Sequence, residues 1–408
     1  GVALEPPSQP SHFEVAKLAK SIEDHRLDIR DGDALKVLVL KTQPDFVFHL
    51  AAQALVRQSY DDPVATYMTN AIGTLNLLEA LRPLEKKCTA VLITSDKCYN
   101  NVEWVWGYRE TDALGGPDPY SASKGAAELV IRSHVKSFFP KDGAVRIAVG
   151  RAGNVIGGGD WAQDRIVPDC VRSWAKGKSV QLRNPLATRP WQHVLEPLSG
   201  YLALATELHQ KDELHGEPFN FGPSAHQNHT VLELVQQMAL HWEQVRWQDV
   251  SGSVAGPYES GLLKLNCDKS LHYLQWHAVM SFEDTVRMTA EWYRAYYQQP
   301  AQIALTTDAQ IVAYTKIAKN GWHLNIKAAA NQTDTNSALA DGTENDDANN
   351  IQLNLNNIKF LKEYFGKYCN LGYMDHTDAD DRVCFEGKTI YIDSRQHAEN
   401  RFSNKIVL

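Results

Sequence analysis

The first 155 residues alternate between short apolar runs and longer segments in which apolar residues recur at helical spacing. Residues 46–50, 91–94 and 145–149 have the length and composition of buried strands. Residues 63–82 and 120–139, which separate them, have the length and apolar spacing of helices. Strands that alternate with helices pair in parallel through right-handed crossovers, so the pattern predicts an α/β fold with a parallel sheet.

The rest of the chain changes character twice. After a first domain over residues 1–165, residues 166–325 mix short segments with Pro and Gly breaks, which predicts a smaller mixed α/β lobe. Residues 326–350 carry acidic side chains and no Lys or Arg from residue 331 onward, which is typical of a linker. Residues 351–408 regain apolar and aromatic residues without an interpretable motif, so they are left as an unassigned extension.

The composition of the chain argues against several classes of function. The chain has 408 residues, 43% apolar and 22% charged, which is the make-up of a soluble globular protein. No apolar run reaches the roughly 18 residues of a membrane-spanning helix, and no secretory leader opens the chain, so we expect no membrane partner. A net charge of -8 gives no broad basic surface for nucleic acid. Six scattered cysteines without a CxxC pair predict neither a metal site nor a disulfide framework, and favour a cytoplasmic setting.

Tyr120 and Lys124 form the first candidate for chemistry. Spaced i and i+4, they share one face of the second predicted helix, directly after a Pro-rich loop. An ordinary Tyr has a pKa of about 10, but a cation about 4 Å away lowers it by roughly three units at an effective dielectric near 20. The pair therefore predicts a tyrosine base with a pKa near neutrality. The alternative is a Tyr and a Lys on a solvated helix face.

The second candidate follows the strand at residues 91–94. Ser95, Asp96 and Lys97 place a hydroxyl, a carboxylate and an ammonium at the end of that strand. Ligands of open parallel sheets bind beyond the carboxyl ends of the strands. Asp96 and Lys97 can act as an acid/base pair, because each perturbs the pKa of the other. The alternative is a turn with a surface ion pair.

Together these motifs resemble the extended short-chain dehydrogenase/reductase superfamily, which has a Rossmann-like nucleotide-binding domain. The shared features are Tyr120 with Lys124, a serine upstream at a strand end, and residues 50–52. Residues 94–99 are similar to the Ser-Asp-Lys set of the CDP-glucose 4,6-dehydratases rather than the Thr-Asp-Glu set of the dTDP-glucose 4,6-dehydratases. The resemblance covers about residues 1–325. The further matching stretches are residues 3–7, 153–161, 189–194 and 219–223.

The resemblance implies an NAD-dependent conversion of CDP-D-glucose to CDP-4-keto-6-deoxy-D-glucose, a step toward the deoxysugars of O-antigen lipopolysaccharide. Tyr120, helped by Lys124 and a cationic nicotinamide, would take the C4 hydroxyl proton while the C4 hydride passes to NAD. Lys97 would remove the C5 proton and Asp96 would protonate the departing C6 hydroxyl, although these two roles are interchangeable on this resemblance. Ser95 would hydrogen-bond a substrate hydroxyl.

The resemblance also implies binding residues. One segment would contact the adenine of NAD, small residues would line its nicotinamide side, and arginines would hold the diphosphate, since their planar fork bonds two oxygens. The cofactor-side candidates are Asp28, Ile29, Ala51, Ala52, Tyr120 and Lys124. The substrate-side candidates are Arg57, Ser59, Asn154, Arg165, Arg189 and His193. For His193 the alternative is a packed histidine of the second lobe.

No GxGxxG turn occurs between a strand and a helix, although such a turn lets the backbone approach a cofactor pyrophosphate. We therefore expect the first βα unit to be missing from this sequence and NAD to bind weakly. The family relation further implies a homodimer or homotetramer through the helices at residues 63–82 and 120–139.

Three functions remain open on the sequence. The first is a CDP-glucose 4,6-dehydratase, the second another sugar-nucleotide dehydratase or an epimerase, and the third a non-catalytic sugar-nucleotide binder. Lys97 beside Asp96 argues against an epimerase, which needs no elimination pair. The intact Ser95, Tyr120 and Lys124 argue against a binder without catalysis.

Overall fold

The computed structural model describes residues 1–243, 245–251 and 260–334, together with residues 382–385, 388–391 and 406–407. Side chains are described as far as residue 319. The helices are α1 His12–Val15, α2 Gly32–Thr42, α3 Val56–Asp61, α4 Pro63–Tyr67, α5 Gly73–Leu81, α6 Pro119–Phe138, α7 Ile166–Trp174, α8 Leu195–Gln210, α9 Val231–Ala239, α10 Asp268–Leu274, α11 Phe282–Gln298 and α12 Ile303–Asp334. The strands are β1 Val2–Ala3, β2 His25–Arg26, β3 Phe46–His49, β4 Cys88–Ile93, β5 Val145–Ala152, β6 Val155–Ile156, β7 Val180–Leu182, β8 Thr188–Arg189, β9 Gln192–His193, β10 Pro218–Phe221, β11 His229–Thr230, β12 Trp247–Asp249, β13 Arg382–Phe385, β14 Lys388–Tyr391 and β15 Ile406–Val407.

A parallel sheet forms the centre of the described structure, in the order β10-β5-β4-β3-β15. The predicted α/β class is therefore confirmed, as are the three predicted strands, which become β3, β4 and β5. The predicted helix at residues 63–82 is α4 and α5, joined by a π-helical turn at Met68–Ile72. The predicted helix at residues 120–139 is α6. Helical crossovers between parallel strands bring the carboxyl ends of β3, β4 and β5 to one edge of the sheet.

Helices cover both faces of this sheet. The face toward α2, α5 and α6 buries a core that includes Leu78, Leu81 and Ile147, all fully buried. The other face packs against α8 and α10 through residues such as Phe219 and Trp276. Each large apolar side chain so buried contributes about 1.5–3 kcal/mol relative to exposure. The two cores fix the sheet edge that carries the candidate chemistry.

The second lobe is built from short strand pairs and helices around a Trp-rich core. The predicted boundary between residues 165 and 166 does not separate the two units along the chain, because β10 returns to the central sheet. Asn220 of β10 lies in register with Arg151 of β5, and α8 packs on the same sheet. The chain therefore crosses into the lobe and back, since the apolar faces of α8 and β10 are buried only against the central sheet.

The sheet edge beside β3 receives a strand from the extension that the sequence left unassigned. Ile406–Val407 pairs in parallel with Phe46 and Val47, while β1 and β2 pair with each other in a separate parallel sheet. The structure also differs from the prediction in the first part of the acidic linker. Residues 326–334 belong to α12, whereas residues 335–350 and most of residues 351–408 lie outside the described residues.

Within the described residues, no helix combines the length and the apolar character that a membrane crossing requires.

Candidate active site

The turn after β4 carries one half of the predicted site. Ser95 accepts a hydrogen bond from the backbone N–H of Lys97 at 3.2 Å and so starts a 3-10 turn over Asp96–Cys98. Its hydroxyl also donates to Asp96 Oδ1 at 3.1 Å. Ser95 and Asp96 are both buried. A polar turn held by its own side chains thus presents the hydroxyl and carboxyl groups at the carboxyl edge of the sheet.

Helix α6 carries the other half. It starts at a defined point, because Asp118 accepts a hydrogen bond from the N–H of Ser121 and Pro119 occupies the first helical turn. Tyr120 and Lys124 follow in the first two turns, both buried. The phenol of Tyr120 shares a hydrogen bond with Ser95. The predicted union of the two motifs in one site is therefore what the structure has.

Two glycines allow the helix and the turn to approach closely. A Cβ at Gly125 would lie 3.3 Å from the carbonyl oxygen of Cys98. A Cβ at Gly116 would lie 2.2 Å from Cβ of Ser121 and 3.4 Å from the carbonyl oxygen of Lys97. A larger residue at either position would push the turn away from α6.

Burial dominates the electrostatics of Tyr120 and Lys124. It raises the pKa of Tyr120 to about 12, although the hydrogen bond with Ser95 and the charge of Arg165 lower it. It lowers the pKa of Lys124 to about 8, although Cys98 and Glu128 raise it. In the chain by itself the Tyr120 pKa is therefore not close to neutrality, and the effect of Lys124 together with a cationic nicotinamide stays a prediction. The simple Coulomb argument left out the cost of burying the phenolate.

Asp96 is the unusual carboxyl of the site. Burial raises its pKa, against the lowering influence of Lys97, the Ser95 hydrogen bond and Arg189. Its Oδ2 is buried and has no hydrogen-bond partner within the described part of the chain. A Cβ at Gly153 would lie 2.7 Å from this Oδ2, so the glycine leaves room for the carboxyl group. A carboxyl with a raised pKa and a free oxygen is suited to donate a proton.

The loops above the sheet bring several predicted substrate-side residues toward Asp96. Asn154 accepts a hydrogen bond from the N–H of Gln192 through its carbonyl oxygen at 3.1 Å, so β6 and β9 lie side by side. Arg189 donates to the carbonyl oxygen of Thr188 at 2.8 Å and lowers the Asp96 pKa. Arg165 forms an ion pair with Asp160 at 3.0 Å. Arg165 lowers the pKa of Tyr120, as Arg189 lowers that of Asp96, so arginines from the predicted substrate side act on both groups.

Ser59 and His193, two other predicted substrate-side residues, hydrogen-bond to backbone groups of the chain. Ser59 is fully buried, donates to the carbonyl oxygen of Val56 at 2.6 Å and accepts from the N–H of Tyr120 at 3.1 Å. Its hydroxyl therefore anchors the start of α6 through two backbone groups, and its predicted place beside the substrate stays a prediction. His193 is 2% exposed, and its Nδ1 accepts from the N–H of Leu195 at 3.3 Å. Burial lowers its pKa to about 4, which agrees with a packed neutral histidine.

Arg57 keeps a surface partner. Its guanidinium lies 3.4 Å from Asp164, which also pairs with Arg183 at 3.1 Å. Its Nε is buried without a hydrogen bond among the described residues. Asp164 has φ 60°, a left-handed conformation that is uncommon outside glycine. Asp164 thus lies between the guanidinium groups of Arg57 and Arg183.

The predicted cofactor-side residues lie at the ends of β2 and β3. The carboxylate of Asp28 is bound by Arg30 through its backbone N–H and its guanidinium. Ile29 is buried and fills the space beside Gly73 in the core. Ala51 and Ala52 follow β3 directly and are half-buried. Among these, the two alanines lie at the same edge of the sheet as Ser95.

Sequence reasoning missed the residues beneath the site, of which Glu128 and Arg151 are the main pair. They form a buried bidentate ion pair at 2.7 and 2.8 Å. Glu128 follows Lys124 by four residues, which is a signal that helical spacing alone offers. Arg151 is a buried charged residue near the end of β5, whose middle, residues 147–150, is apolar, and this also indicates a buried partner. Within the described residues no cluster of three or more His, Cys, Asp or Glu side chains is arranged to hold a metal ion.

The comparisons with known proteins start with a family. The sequence profile described as GDP-mannose 4,6 dehydratase matches residues 8–289, which is more than half of the chain. This chain belongs to that family. The CDP-glucose 4,6-dehydratase of Salmonella typhimurium is 45% identical to this chain over 303 residues, which cover 72% of this chain and 83% of the relative. The predicted resemblance to CDP-glucose 4,6-dehydratases is thereby confirmed.

Other relatives of this dehydratase-family chain are more distant. The CDP-paratose 2-epimerase of Salmonella typhi is 27% identical, covering 51% of this chain and 66% of the relative. The dTDP-glucose 4,6-dehydratase of Shigella flexneri is 26% identical, covering 66% and 77%. A crystal structure of the UDP-glucuronic acid 4-epimerase from Bacillus cereus superposes with a TM-score of 0.61 at 19% identity, over 72% of this chain and 91% of that one. The last likeness supports the fold.

Proposed function

We propose that this dehydratase-family chain converts CDP-D-glucose to CDP-4-keto-6-deoxy-D-glucose, with NAD as cofactor. The observation that carries the proposal is the contact between the Ser95–Asp96–Lys97 turn and the helix that bears Tyr120 and Lys124. An oxidation at C4 needs a base beside the hydroxyl, and an elimination across C5 and C6 needs an acid and a second base. The phenol of Tyr120, the carboxyl group of Asp96 and the ammonium of Lys97, which meet at the contact between the turn and α6, would supply these groups.

The nucleotide assignment rests on similarity. The relative at 45% identity carries CDP-glucose in its name, whereas the relatives named for dTDP-glucose and CDP-paratose stand at 26% and 27%. Lys97 beside Asp96 supports the same choice, because residues 94–99 are similar to the CDP-glucose group. An epimerase has no use for an elimination pair, and no feature of the site favours one.

The residues present fit the nicotinamide end of NAD. Ala51 and Ala52 offer small side chains at the end of β3, and the buried Lys124 offers an ammonium on the facing helix. Tyr120, on the same helix, faces the Ser95 turn. When bound, NAD supplies a hydride acceptor that takes the C4 hydride and gives it back at C6. The printed sequence holds no GxGxxG turn for the pyrophosphate.

Each step then uses a group of this chain. Tyr120 takes the proton of the C4 hydroxyl, with Ser95 bonded to the phenol and to the substrate. The resulting C4 ketone acidifies the C5 hydrogen, which Lys97 removes as a proton. Asp96, with its raised pKa, gives a proton to the departing C6 hydroxyl, so one water leaves. Arg189 and Asn154 hold the diphosphate, and Arg165 and Arg57 flank it.

We further propose that the chain works in the cytoplasm as a homodimer or homotetramer. The outer faces of α4 and α6 expose apolar side chains, including Val64 at 72%, Leu129 at 48% and Phe138 at 41%. Exposed apolar residues grouped on two neighbouring helices support an interface between copies. Light scattering after size exclusion tests this, and a monomer at micromolar concentration contradicts it.

Mass spectrometry of the sugar nucleotide tests the function. The purified chain with NAD and CDP-glucose is expected to give a product lighter by one water. Parallel reactions with dTDP-glucose and GDP-mannose test the nucleotide. Dehydration of one of those two, with CDP-glucose unchanged, contradicts the substrate assignment. Conversion of CDP-glucose to an isomer of equal mass contradicts the dehydratase assignment and favours an epimerase.

A further inference from the structure

A buried polar network lies directly beneath the candidate active site. Its centre is the bidentate ion pair between Arg151 of β5 and Glu128 of α6, with nitrogen–oxygen distances of 2.7 and 2.8 Å. The two residues are 2% and 4% exposed. A buried pair needs further hydrogen bonds to offset the loss of hydration. The partners that supply these bonds are the residues that flank the catalytic turn.

The network holds the turn at its first end through Thr94. This residue comes directly before Ser95 and donates from Oγ1 to Glu128 Oε1 at 2.6 Å. The bond joins the residue directly after β4 to the middle of α6. It therefore fixes the height at which the turn leaves the sheet relative to the helix.

The network holds the turn at its other end through Tyr99. This residue comes directly after Cys98, and its phenol oxygen accepts from Arg151 Nη1 at 2.8 Å. The same hydroxyl donates to Asn220 Oδ1 at 2.7 Å, and Asn220 lies in register with Arg151 on the adjacent strand. Tyr99 is fully buried. Both ends of the four-residue turn are thus bound to one ion pair.

The same pair also belongs to the catalytic helix. Glu128 is one helical turn beyond Lys124, which is one turn beyond Tyr120, so the three share a face of α6. The carboxylate of Glu128 acts on Lys124 electrostatically. Glu128 therefore binds Thr94 at the start of the turn and belongs to the helix that carries Tyr120 and Lys124.

We propose that the Glu128–Arg151 pair is a positioning unit, which sets the Ser95–Asp96–Lys97 turn against Tyr120 and Lys124 through Thr94 and Tyr99. Neither residue touches the substrate; they act through the groups that do. Catalysis by aligned groups is sensitive to small displacements, since a shift of about 1 Å costs on the order of 100-fold in rate. The proposal rests on the proposed function for its effect on turnover, but not for its effect on the turn.

Two substitutions at opposite ends of β4 separate this role from general stability. Thr94→Val, directly after the strand, removes the bond to Glu128 and leaves the ion pair in place. Thr89→Val removes a partly buried side-chain bond near the start of the strand, where Thr89 Oγ1 lies 2.9 Å from His209 Nδ1. Thr94→Ser keeps the hydroxyl and serves as the rescue variant. Arg151→Lys replaces the fork with a point charge that does not bond both carboxylate oxygens and Tyr99 together.

The first readout needs no activity. Cys98 lies inside the turn, is fully buried, and has a thiol pKa raised by burial. Its rate of alkylation by N-ethylmaleimide, followed by peptide mass spectrometry, is expected to rise at least about tenfold in Thr94→Val and Arg151→Lys, because buried thiols are inert until exposed. The buried Cys88 and Cys170 serve as internal references. An unchanged Cys98 rate, or an equal rise in Thr89→Val, overturns the proposal.

The second readout is the split between kcat and KM for CDP-glucose. Thr94→Val is expected to lower kcat about tenfold with KM within about twofold, because alignment and not binding is lost. Thr94→Ser is expected to restore both, and Thr89→Val to leave both unchanged. A Thr94→Val enzyme with full kcat overturns the proposal even if Cys98 is exposed. A wild-type chain that leaves CDP-glucose intact sinks the proposed function, and the alkylation rates then decide the positioning unit alone.

Discussion

A single added methyl group at Gly153 tests how strictly the Asp96 carboxyl must be placed. Gly153 has no left-handed backbone, so Gly153→Ala introduces no backbone strain. The new Cβ would lie 2.7 Å from Asp96 Oδ2 and 3.3 Å from its Cγ. Ordinary contact begins near 3.4 Å, so the carboxyl group must move by about 0.7 Å. Because Asp96 is buried, it has little freedom to relax elsewhere.

The displacement sets the size of the expected effect. A misplacement of about 1 Å costs on the order of 100-fold in rate, so Gly153→Ala is expected to lower kcat by about 10- to 100-fold. The loss should fall on kcat more than on KM, because the acid and not the nucleotide contact is moved. The assay is steady-state formation of the 4-keto product from CDP-glucose.

Gly222→Ala is the matched control. Gly222 follows β10, and its Cβ would meet Cys267 Sγ at 3.5 Å and the Leu265 side chain at 3.6 Å, which are ordinary contacts. We expect this variant to keep the kcat of the unmodified chain. A Gly153→Ala enzyme with full kcat would refute the claim that Asp96 takes part in the elimination from its observed position.

Three further predictions concern the same fold. Tyr120→Phe is expected to lower kcat about 10²- to 10⁴-fold, while Tyr273→Phe, on the exposed side of α10, leaves it unchanged; full turnover in Tyr120→Phe would rule out the phenol as base. Ser59→Ala strands the N–H of Tyr120 and should cost about 1–3 kcal/mol in the urea-derived free energy of unfolding; no loss would mean that another group satisfies this N–H. Burial raises the pKa of Glu196 to about 7, so its contribution to stability is present below pH 4.5 and is lost as pH rises through 7, by up to about 3 kcal/mol. Glu196→Gln should therefore flatten the rise in unfolding free energy from pH 7.5 to pH 5, and an unchanged slope would contradict the assignment.

Local sequence patterns were enough to predict three neighbouring strands of the central sheet, β3, β4 and β5. Strands β3, β4 and β5 are apolar runs of strand length, and α6 has a Pro and an Asp at its start. These signals lie in short stretches of the sequence, so they can be recognised without knowledge of the fold. The union of Ser95 with Tyr120 followed from topology, because parallel strands bring their carboxyl ends to one edge.

Sequence patterns were insufficient where burial or distant contacts decide. The argument for a Tyr120 pKa near neutrality contained no desolvation cost, although Tyr120 is buried. The role of Ser59 at the start of α6 was not predicted, because a hydroxyl in sequence does not show which backbone group it binds. The return of β10 to the sheet pairs residues about 70 positions apart, which no local pattern predicts.

The Glu128–Arg151 network was missed for a related reason. Helical spacing connects Glu128 to Lys124, but only the fold brings Arg151, Thr94 and Tyr99 to the same carboxylate. A charged residue after the apolar middle of β5 was the available signal. Buried ions demand partners, so such residues indicate a second polar element before that element is known.

The path of one hydrogen atom tests the central claim most directly. CDP-glucose that carries deuterium at C4 is incubated with the chain and NAD, and the product is examined by mass spectrometry and NMR. The account predicts loss of one water with the deuterium retained at C6, because bound NAD would take the C4 hydride and return it to C6 within one site while Tyr120 takes the C4 hydroxyl proton. A product without deuterium, or recovery of the unchanged sugar nucleotide, would contradict it.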